Sequence, residues 1–375
     1  MDPFPRLQSL QAFVFRCPVV EPVVVSFGTM FERTMVLVRA EDVDGGVGWG
    51  EVWCNFPAVA AEHRARLIDS VLAPLALSRD FSGPAEAFHW LTDRTAILGI
   101  QSGEPGPLAQ AIAGIDIALW DLAARRAGQP LWALLGGQSP TVGVYASGIN
   151  PDRPEIMALT RRIEGHRAFK LKIGFGEHRD LTNLRSLRAA LGPDCSLMAD
   201  VNQGWSVEEA IRMAPLLEPF DLQWLEEPLR ADRPWSEWTA LSRIAGPLAA
   251  GENLQVEAAF KLAMDSGALR VLQPDIAKWG GFSGCLPVAQ SAMSRGLRYC
   301  PHYLGGGIGL LASAHLLAAA GGDGLLEVDA NPNPLRELLC AEVGQVQEGM
   351  VTLSDAPGLG LMPDPAALGR YAARA

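Results

Sequence analysis

Two lysines, Lys170 and Lys172, lie in the short β-prone stretch Phe169–Gly174. On a strand, residues two apart point to the same face, so both ammonium groups would face one side and hold an anionic group there. The chain has only four lysines, against 27 arginines. Because lysine can lose its proton in a protein and arginine cannot, lysine at these positions indicates a proton-transferring amine. The alternative is a solvated strand end.

Three acidic residues, Asp200, Glu226 and Glu252, each end a short apolar run and follow one another at intervals of 26 residues. The active sites of parallel barrels form at the carboxyl ends of the strands, so the three carboxylates would converge from neighbouring strands. Without a cation they would repel one another, and an all-oxygen set suits Mg²⁺, with Mn²⁺ as an alternative, whereas zinc would require histidine or cysteine. The spacing predicts a metal site. A helix cap or surface ion pair would be the default interpretation for any one of them alone.

The next two apolar runs end at Asp275 and His302. On adjacent strands the carboxylate would lie beside the imidazole, fix its tautomer and raise its basicity, which would provide a second base opposite the lysines. Glu327 follows the last run and is expected to be either a hydrogen-bond donor, if protonated, or a carboxylate at the barrel rim. The other five histidines fall in helical or loop contexts and are expected to be structural.

The elements that must position these residues are short apolar runs that alternate with helical patterns. Eight such runs within about 185 residues favour a closed barrel of strand–helix units over an open doubly wound sheet. No phosphate-binding glycine motif follows the first run, which disfavours the nucleotide-binding folds. The predicted strands are 142–146, 168–173, 196–199, 223–225, 248–250, 271–273, 298–300 and 324–326.

Ahead of the barrel, an antiparallel meander is predicted from strands at 10–15, 34–40 and 47–53, followed by helices at 62–77, 84–98 and 107–126. A glycine-rich hinge places the domain boundary after residue 137, with the barrel at 138–348 and the tail 349–375 returning to the first domain. The segment Pro18–Thr29 is predicted as a loop. Its apolar residues, with Phe27 and the adjoining Met30, indicate a lid, a partner-facing segment or packing against the other domain.

Charge and composition exclude several classes of protein. The chain has 375 residues, 49% of them hydrophobic, and a net charge of −11, which argues against a nucleic-acid or anionic-membrane surface. The amino terminus lacks a signal-peptide pattern and no apolar run reaches membrane-spanning length, so a cytoplasmic protein is expected. Six dispersed cysteines without metal-type spacing are expected to be core thiols.

The order Lys-x-Lys, Asp, Glu, Glu, Asp, His, Glu on successive strands resembles the enolase superfamily, and the Asp275–His302 pair resembles its mandelate racemase subgroup. The resemblance covers nearly the whole chain, including Gly48–Glu51 and Gly114–Asp121 in the first domain. It implies an α/β fold, a (β/α)7β TIM-like barrel with an α+β capping domain formed by the N-terminal part and the C-terminal tail. The muconate-lactonizing subgroup has a basic lysine where this chain has Asp275, which disfavours that subgroup.

The resemblance also implies a role for each site residue. Asp200, Glu226 and Glu252 would bind Mg²⁺. Lys172 would be one base, while Lys170 would neutralise the substrate carboxylate and lower the pKa of Lys172. Asp275 and His302 would form the other acid/base. Glu327 and Asn202 would contact the substrate, and Lys278 would have a supporting role only.

These residues predict removal of the proton α to a carboxylate through an enediolate whose charge Mg²⁺ and Lys170 stabilise. Dehydration of a hydroxy acid or sugar acid to a 2-keto acid is the leading prediction, although the apolar lid segment argues against a highly hydroxylated substrate. Racemisation, epimerisation or lactone cycloisomerisation is the alternative, the last because Lys170–Gly176 and Gly280–Ser283 are reminiscent of galactarolactone cycloisomerases. A non-catalytic barrel that binds carboxylates stays open, whereas a metal-dependent hydrolase lacks its His-x-His on the first strand. The expected partners are a small carboxylate and further copies of the chain.

Overall fold

The computed structural model describes residues 4–25, 28–340, 343 and 345–373. Asp42 closes a tight turn in the N-terminal sheet, because its Oδ1 accepts hydrogen bonds from the backbone N–H groups of Asp44 and Gly46, both at 2.9 Å. The sheet is antiparallel, as predicted. Its strands are, in spatial order, β1 (Leu7–Val25), β2 (Gly28–Asp42) and β3 (Val47–Val52).

The segment Pro18–Thr29 is predicted as a loop, but its described residues belong instead to the end of β1 and the start of β2. Val23 pairs with Met30 after an irregularity in the register. The β-branched valines of this segment favour a strand, and the prolines are accommodated where the regular pairing is interrupted. Phe27 lies outside the described residues, whereas Met30 is buried and faces the mouth of the barrel.

The three helical segments predicted in the first domain are confirmed, although a π-helical turn at Ile68–Leu72 divides the first of them. The later two helices each begin at a proline. Proline suits the first turn of a helix because it has no N–H, and an N–H at that position would have no partner within the helix. The helices are α1 (Ala60–Leu67), α2 (Ala73–Ala76), α3 (Pro84–Ser102), α4 (Pro105–Arg126) and α5 (Leu131–Leu134).

Helix α4 forms the core of the capping domain and packs closely on β3. A Cβ on Gly48 would lie 2.1 Å from the carbonyl oxygen of Ala118, and one on Gly50 would lie 2.0 Å from that of Gly114. Only glycine allows this approach. Of the helices in the described part of the chain, α4 alone is long and apolar enough to cross a membrane, but 78% of its apolar stretch is buried inside the fold, as in a core helix.

From residue 141 the chain forms seven strand–helix units and a closing strand. Neighbouring strands are parallel, in the order β10-β9-β8-β7-β6-β5-β4-β11. The ends of this path meet where the N–H of Leu325 lies 3.4 Å from Cys300 Sγ. The predicted (β/α)7β barrel with a capping domain is therefore confirmed. Its strands are β4 (Thr141–Ile149), β5 (Ala168–Lys172), β6 (Ser196–Asp200), β7 (Leu222–Glu226), β8 (Leu248–Ala250), β9 (Val271–Leu272), β10 (Arg298–Tyr299) and β11 (Leu325–Asp329).

The helices of the barrel lie outside these strands and cover them with apolar side chains. Helix α8 ends in a 3-10 turn, Glu218–Phe220. The helices are α6 (Pro154–Ile163), α7 (Glu177–Leu191), α8 (Val207–Leu217), α9 (Trp235–Leu241), α10 (Glu257–Asp265), α11 (Gly281–Ser294) and α12 (Gly307–Ala320).

The part of the chain that follows β11 contacts both domains. It contains α13 (Pro334–Glu337), β12 (Met350–Thr352) and a 3-10 turn at Gly369–Tyr371. Strand β12 pairs antiparallel with β4 of the barrel. Further on, Ala372 forms a bridge with Phe15 of β1, and the N–H of Ala373 binds the carbonyl of Val14 at 2.9 Å. The division into residues 1–137 and 138–348 stays a prediction.

The strand register determines which side chains meet inside the barrel. Lys172 lies opposite Asp200, and Asp200 lies opposite Glu226 on the next strand. Below these polar residues the interior is filled by an apolar layer that includes Tyr145, Met198 and Trp224. All six cysteines are buried thiols, as predicted.

Candidate active site

A cleft of about 240 Å³ lies at the carboxyl ends of the barrel strands, beneath the capping domain. A larger cavity of about 620 Å³ lies at the opposite end of the barrel, between the hinge at Gly136 and the end of α12, and no predicted site residue lines it. The smaller cleft is therefore the candidate active site. It is lined by Met30, Trp53, Asn55, Phe56, Lys172, Asn202, Gln203, Glu252, Asn253, Lys278, His302 and Leu304.

Both lysines of β5 point into the barrel, as their spacing predicts, but they lie at different depths. Lys170 is 1% exposed, and its Nζ lies 2.5 Å from Glu226 Oε1 and 2.8 Å from Glu327 Oε1. Burial alone would lower the pKa of Lys170, but Glu226 and Glu327 raise it well above its usual value. Lys170 is therefore a charged residue beneath the cleft and does not line it. Its predicted contact with the substrate carboxylate stays a prediction.

Lys172 lines the cleft and is the better-placed base. Burial lowers the pKa of Lys172, and the charge of Lys170 lowers it further, while Asp200 and Asp329 oppose the shift. The direction agrees with the predicted neutral amine, although burial, rather than Lys170, is the main cause. A lysine with a lowered pKa that faces a cleft can remove a proton from a bound molecule.

The predicted metal ligands lie at the ends of β6 and β7 and just after β8, where protein donors hold them. Glu226 accepts hydrogen bonds from Trp224 Nε1 at 3.0 Å and from Gln273 Nε2 at 2.6 Å. Asp200 accepts from the N–H and the Nδ2 of Asn202, both at 2.8 Å. Burial, followed by the charge of Glu226, raises the pKa of Asp200 to about 7.

Glu252, the third predicted ligand, is paired with cations. It contacts His302 Nε2, and its Oε1 lies 3.6 Å from Lys278 Nζ. Across residues 4–25, 28–340, 343 and 345–373, no three Asp, Glu, His or Cys side chains are arranged to hold a metal ion as they stand. The assignment of Asp200, Glu226 and Glu252 as ligands therefore stays a prediction.

Asp275 and His302 are in contact, as their positions after adjacent strands predict. His302 Nδ1 lies 2.7 Å from Asp275 Oδ2, and both side chains are buried. Asp275 is held in turn, because its Oδ1 accepts from the N–H groups of Ala277 at 2.8 Å and Lys278 at 3.1 Å. Burial alone would lower the pKa of His302, but Glu252, Glu327 and Asp275 raise it well above its usual value.

Glu327 is not at the barrel rim. It is the third residue of β11, fully buried, and accepts hydrogen bonds from Ser147 Oγ and, at 3.0 Å, from the N–H of Tyr303. Burial alone would raise the pKa of Glu327, but Lys170 and His302 hold it below its usual range, so the side chain is a carboxylate rather than a donor. Strand β11 continues beyond the predicted end because its polar side chains find hydrogen-bond and ion-pair partners inside the barrel.

The structure also places residues in or beside the cleft that the sequence pattern does not single out. Lys278, predicted to have a supporting role, lines the cleft with its Nζ 3.2 Å from Asn253 Oδ1 and 4.8 Å from the ring centroid of Trp53. Glu227 is a further buried carboxylate, and it accepts from Asn253 Nδ2. Both Glu227 and Asn253 directly follow predicted ligands, which is the signal that could have identified them.

The fold and the site together define a barrel with a lysine in the cleft, an Asp–His pair and a set of buried acidic residues. Residues 9–136 match the family described as "Mandelate racemase / muconate lactonizing enzyme, N-terminal domain", and residues 155–367 match "Enolase C-terminal domain-like". The chain belongs to the enolase superfamily, in its mandelate racemase subgroup.

The relatives of this chain include enzymes of two reaction types. D-galactarolactone cycloisomerase of Agrobacterium fabrum strain C58 is 34% identical over 365 residues, which cover 89% of this chain and 93% of the relative. Arabinonate dehydratase of Saccharolobus solfataricus is 28% identical over 333 residues, which cover 87% of each. The chain is therefore an enzyme of the lyase or isomerase type.

Solved structures agree with this assignment. A mandelate racemase/muconate lactonizing enzyme from Bordetella bronchiseptica RB50 is 58% identical, with a TM-score of 0.94 over 98% of this chain and 99% of the other. A racemase from Streptomyces coelicolor A3(2), solved with bound magnesium, is 30% identical, with a TM-score of 0.85 over 98% and 100%. Membership of the superfamily implies a divalent metal.

Proposed function

We propose that the protein removes the proton α to the carboxylate of a hydroxy acid and expels the β-oxygen, so that dehydration yields a 2-keto acid. The observation that carries the proposal is that Lys172 and His302, the latter bound to Asp275, line the same cleft. A base and an acid that face one small volume can remove a proton and deliver another to the same molecule.

The buried carboxylates suit a hard divalent cation, for which we propose Mg²⁺, with Mn²⁺ as an alternative. Burial and the charge of Glu226 raise the pKa of Asp200 to about 7, so the ionised form of Asp200 is disfavoured when no cation is present. A cation beside these groups would remove this penalty on the ionised form. Asp200, Glu226 and Glu252 would hold the ion. Once bound, it would withdraw charge from the substrate carboxylate and so make the α-proton more acidic.

The residues of the chain then perform the proton transfers. Lys172 takes the α-proton, the electron pair of the C–H bond forms the double bond between the α and β carbons, and the bond from the β-carbon to its oxygen breaks. His302 gives its proton to that oxygen, which leaves as water. Where the α-carbon carries a hydroxyl group, the molecule that remains is an enol; it takes up a proton at the β-carbon, gives up the proton of that hydroxyl group and becomes the 2-keto acid.

A second candidate is the opening of a lactone, which uses the same steps. If the β-oxygen is the ring oxygen of a lactone, breaking its bond to the β-carbon opens the ring. The oxygen then remains in the molecule as part of a new carboxyl group, and the reaction is a cycloisomerisation. The identity of 34% with D-galactarolactone cycloisomerase over 89% of this chain favours this candidate. The same two bases would support racemisation or epimerisation if the β-oxygen is retained.

The lining of the cleft bears on the substrate. Met30, Trp53, Phe56 and Leu304 give it apolar walls, while the amides of Asn55, Asn202, Gln203 and Asn253 can bind hydroxyl groups. A carboxylic acid that carries a few hydroxyl groups fits this mixture better than a fully hydroxylated chain.

We also propose that the protein acts as a homo-oligomer in the cytoplasm, which light scattering and cell fractionation would test.

The test is incubation of the protein with sugar acids, their lactones and simpler hydroxy acids in D₂O with Mg²⁺, followed by proton NMR. A 2-keto acid formed from an open-chain acid supports dehydration, and the same product formed only from a lactone supports cycloisomerisation. Deuterium at the α-carbon without elimination indicates a racemase or epimerase. Binding without exchange or product for every acid would refute catalysis and leave a carboxylate-binding barrel.

A further inference from the structure

Glu51, a buried carboxylate of the capping domain, binds the start of a barrel helix. It lies on β3 and accepts hydrogen bonds from Tyr303 Oη at 2.6 Å and from the N–H groups of Gly306 at 2.5 Å and Gly309 at 2.9 Å. The first N–H groups of a helix have no partner inside the helix and carry partial positive charge. Glu51 therefore caps α12 from the other domain.

Asp116 makes the matching contact with the preceding barrel helix. It lies on α4 and accepts from Ser283 Oγ at 2.5 Å and from the N–H of Ser283 at 3.0 Å, in the first turn of α11. Trp120, one turn further along α4, donates from Nε1 to the same hydroxyl at 2.9 Å. Two neighbouring helices of the barrel thus begin against carboxylates of the capping domain.

Glycines at both contacts make room for the carboxylates. A Cβ on Gly306 would lie 2.8 Å from Glu51 Oε1, and a Cβ on Gly281, where φ is +52°, would lie 2.2 Å from Asp116 Oδ2. Larger residues would push the capping domain away from the helices. The two glycine runs, Gly280–Gly281 and Gly305–Gly307, therefore belong to the contact between the domains.

Each capped helix follows one member of the acid/base pair. Helix α11 begins at Gly281, six residues after Asp275, and α12 begins at Gly307, five residues after His302. Tyr303, the neighbour of His302, is held at both ends, because its hydroxyl donates to Glu51 and its N–H donates to Glu327 at 3.0 Å. The loops that carry the pair are thus anchored in the capping domain.

We propose that Glu51 and Asp116 are positioning residues, which hold Asp275 and His302 in contact by fixing the two helices that follow them. The inference rests on the proposed function, in which His302 supplies the proton for the leaving oxygen. Neither residue lines the cleft. Their effect on the reaction should therefore fall on the step that needs His302 more than on the step that needs Lys172.

The experiment compares Glu51→Gln and Asp116→Asn with the wild type and with Asp42→Asn. Asp42 is a matched control, because it is a buried carboxylate of the sheet that carries Glu51 and binds backbone N–H groups away from the barrel. With the substrate identified by the D₂O screen, two rates are measured in the metal-loaded enzyme: product formation, and deuterium exchange at the α-carbon of the recovered substrate.

We expect product formation to fall about 10- to 100-fold in each test variant, as for the loss of one or two charge-assisted hydrogen bonds at a buried site. Exchange, which needs Lys172, should fall by less than about threefold, since Lys172 lies on a strand that these carboxylates do not touch. The control should change neither rate. Equal losses of both rates, unchanged rates, or the same loss in Asp42→Asn would overturn the inference.

A second measurement needs no substrate and separates this inference from the proposed function. In protein labelled with ¹⁵N-histidine, the ring signals of His302, assigned with His302→Asn, should shift in Glu51→Gln and Asp116→Asn but not in Asp42→Asn. If Glu51→Gln fails to fold, Tyr303→Phe, which removes one bond to Glu51, replaces it; if Asp116→Asn fails to fold, Ser283→Ala, which removes one bond to Asp116, replaces it. His302 signals identical to those of the wild type would refute the positioning role even if the wild type turns over no acid.

Discussion

Replacing Asp275 by asparagine tests the acid/base pair with little change in volume. Oδ1 of Asp275 accepts two backbone N–H groups, at 2.8 and 3.1 Å, so the carbonyl of the asparagine would take this place and its NH₂ group would face His302 Nδ1. His302 Nδ1 would then have to accept rather than donate. The neutral ring would carry its proton on Nε2, where it is a poor acid and cannot act as a base.

The expected size of the effect follows from the contact that is lost. A charge-assisted hydrogen bond contributes about 1.5–3 kcal/mol, and the pair here is buried with a distance of 2.7 Å. This corresponds to a loss of about 10- to 150-fold, and the change of tautomer adds to it, since a general acid contributes about 10²- to 10⁴-fold. We expect kcat to fall about 10²- to 10³-fold, with KM changed by less than about threefold.

The assay is product formation by Asp275→Asn, His302→Asn and the double variant, with circular dichroism and thermal unfolding as controls for folding. Because Asp275 acts through His302, the double variant should be no slower than His302→Asn alone. An Asp275→Asn variant within about threefold of the wild type would show that the reasoning is wrong. Losses that multiply in the double variant would show that the two residues act separately.

Three further predictions use other residues. Lys172→Met and Lys172→Arg should both lower α-deuterium exchange by more than about 10³-fold, because arginine cannot become neutral; exchange retained by Lys172→Arg would exclude Lys172 as the base. Mg²⁺ should raise the Tm of the wild type in thermal-shift assays, and this rise should be reduced in Asp200→Asn; an equal rise in both would remove Asp200 from the metal site. Burial lowers the pKa of His315 to about 3, so below pH about 6.5 the unfolded chain binds more protons and the free energy of unfolding falls with falling pH. His315→Gln should reduce this slope by up to about 1.4 kcal/mol per pH unit in urea titrations between pH 7 and 4.5, and an unchanged slope would contradict the shift.

The contact between Asp275 and His302 could be predicted from the sequence because the ends of parallel strands meet at one edge of the barrel. Knowing which residues end two neighbouring strands is then enough to place them together. Lys170 and Lys172 could be placed on one face of β5 because side chains alternate along a strand, and both are indeed buried inside the barrel. These predictions depend only on local pattern and on strand order.

The depth of each side chain inside the barrel, and contacts between residues far apart in the sequence, could not be predicted in this way. Glu327 lies inside β11 rather than after it, because the end of a strand depends on whether the barrel can satisfy its polar groups, and the bond from Lys170 supplies that here. Met30 and Trp53 reach the cleft from the capping domain across more than 100 residues of chain. No periodicity encodes such contacts. The ammonium of Lys278 lies 4.8 Å from the ring centroid of Trp53, which is again a contact between the domains.

The bridge between Phe15 and Ala372, and the bond from Ala373 to Val14, join β1 to a segment more than 350 residues later in the sequence. During synthesis on the ribosome, β1 is made before the barrel, whereas residues 372 and 373 are made after it. The capping sheet therefore acquires these neighbours only after the barrel has been made. Exchange of the capping domain between relatives would need two cuts, one near the hinge and one in the tail, since a single cut would separate β1 from its C-terminal partner.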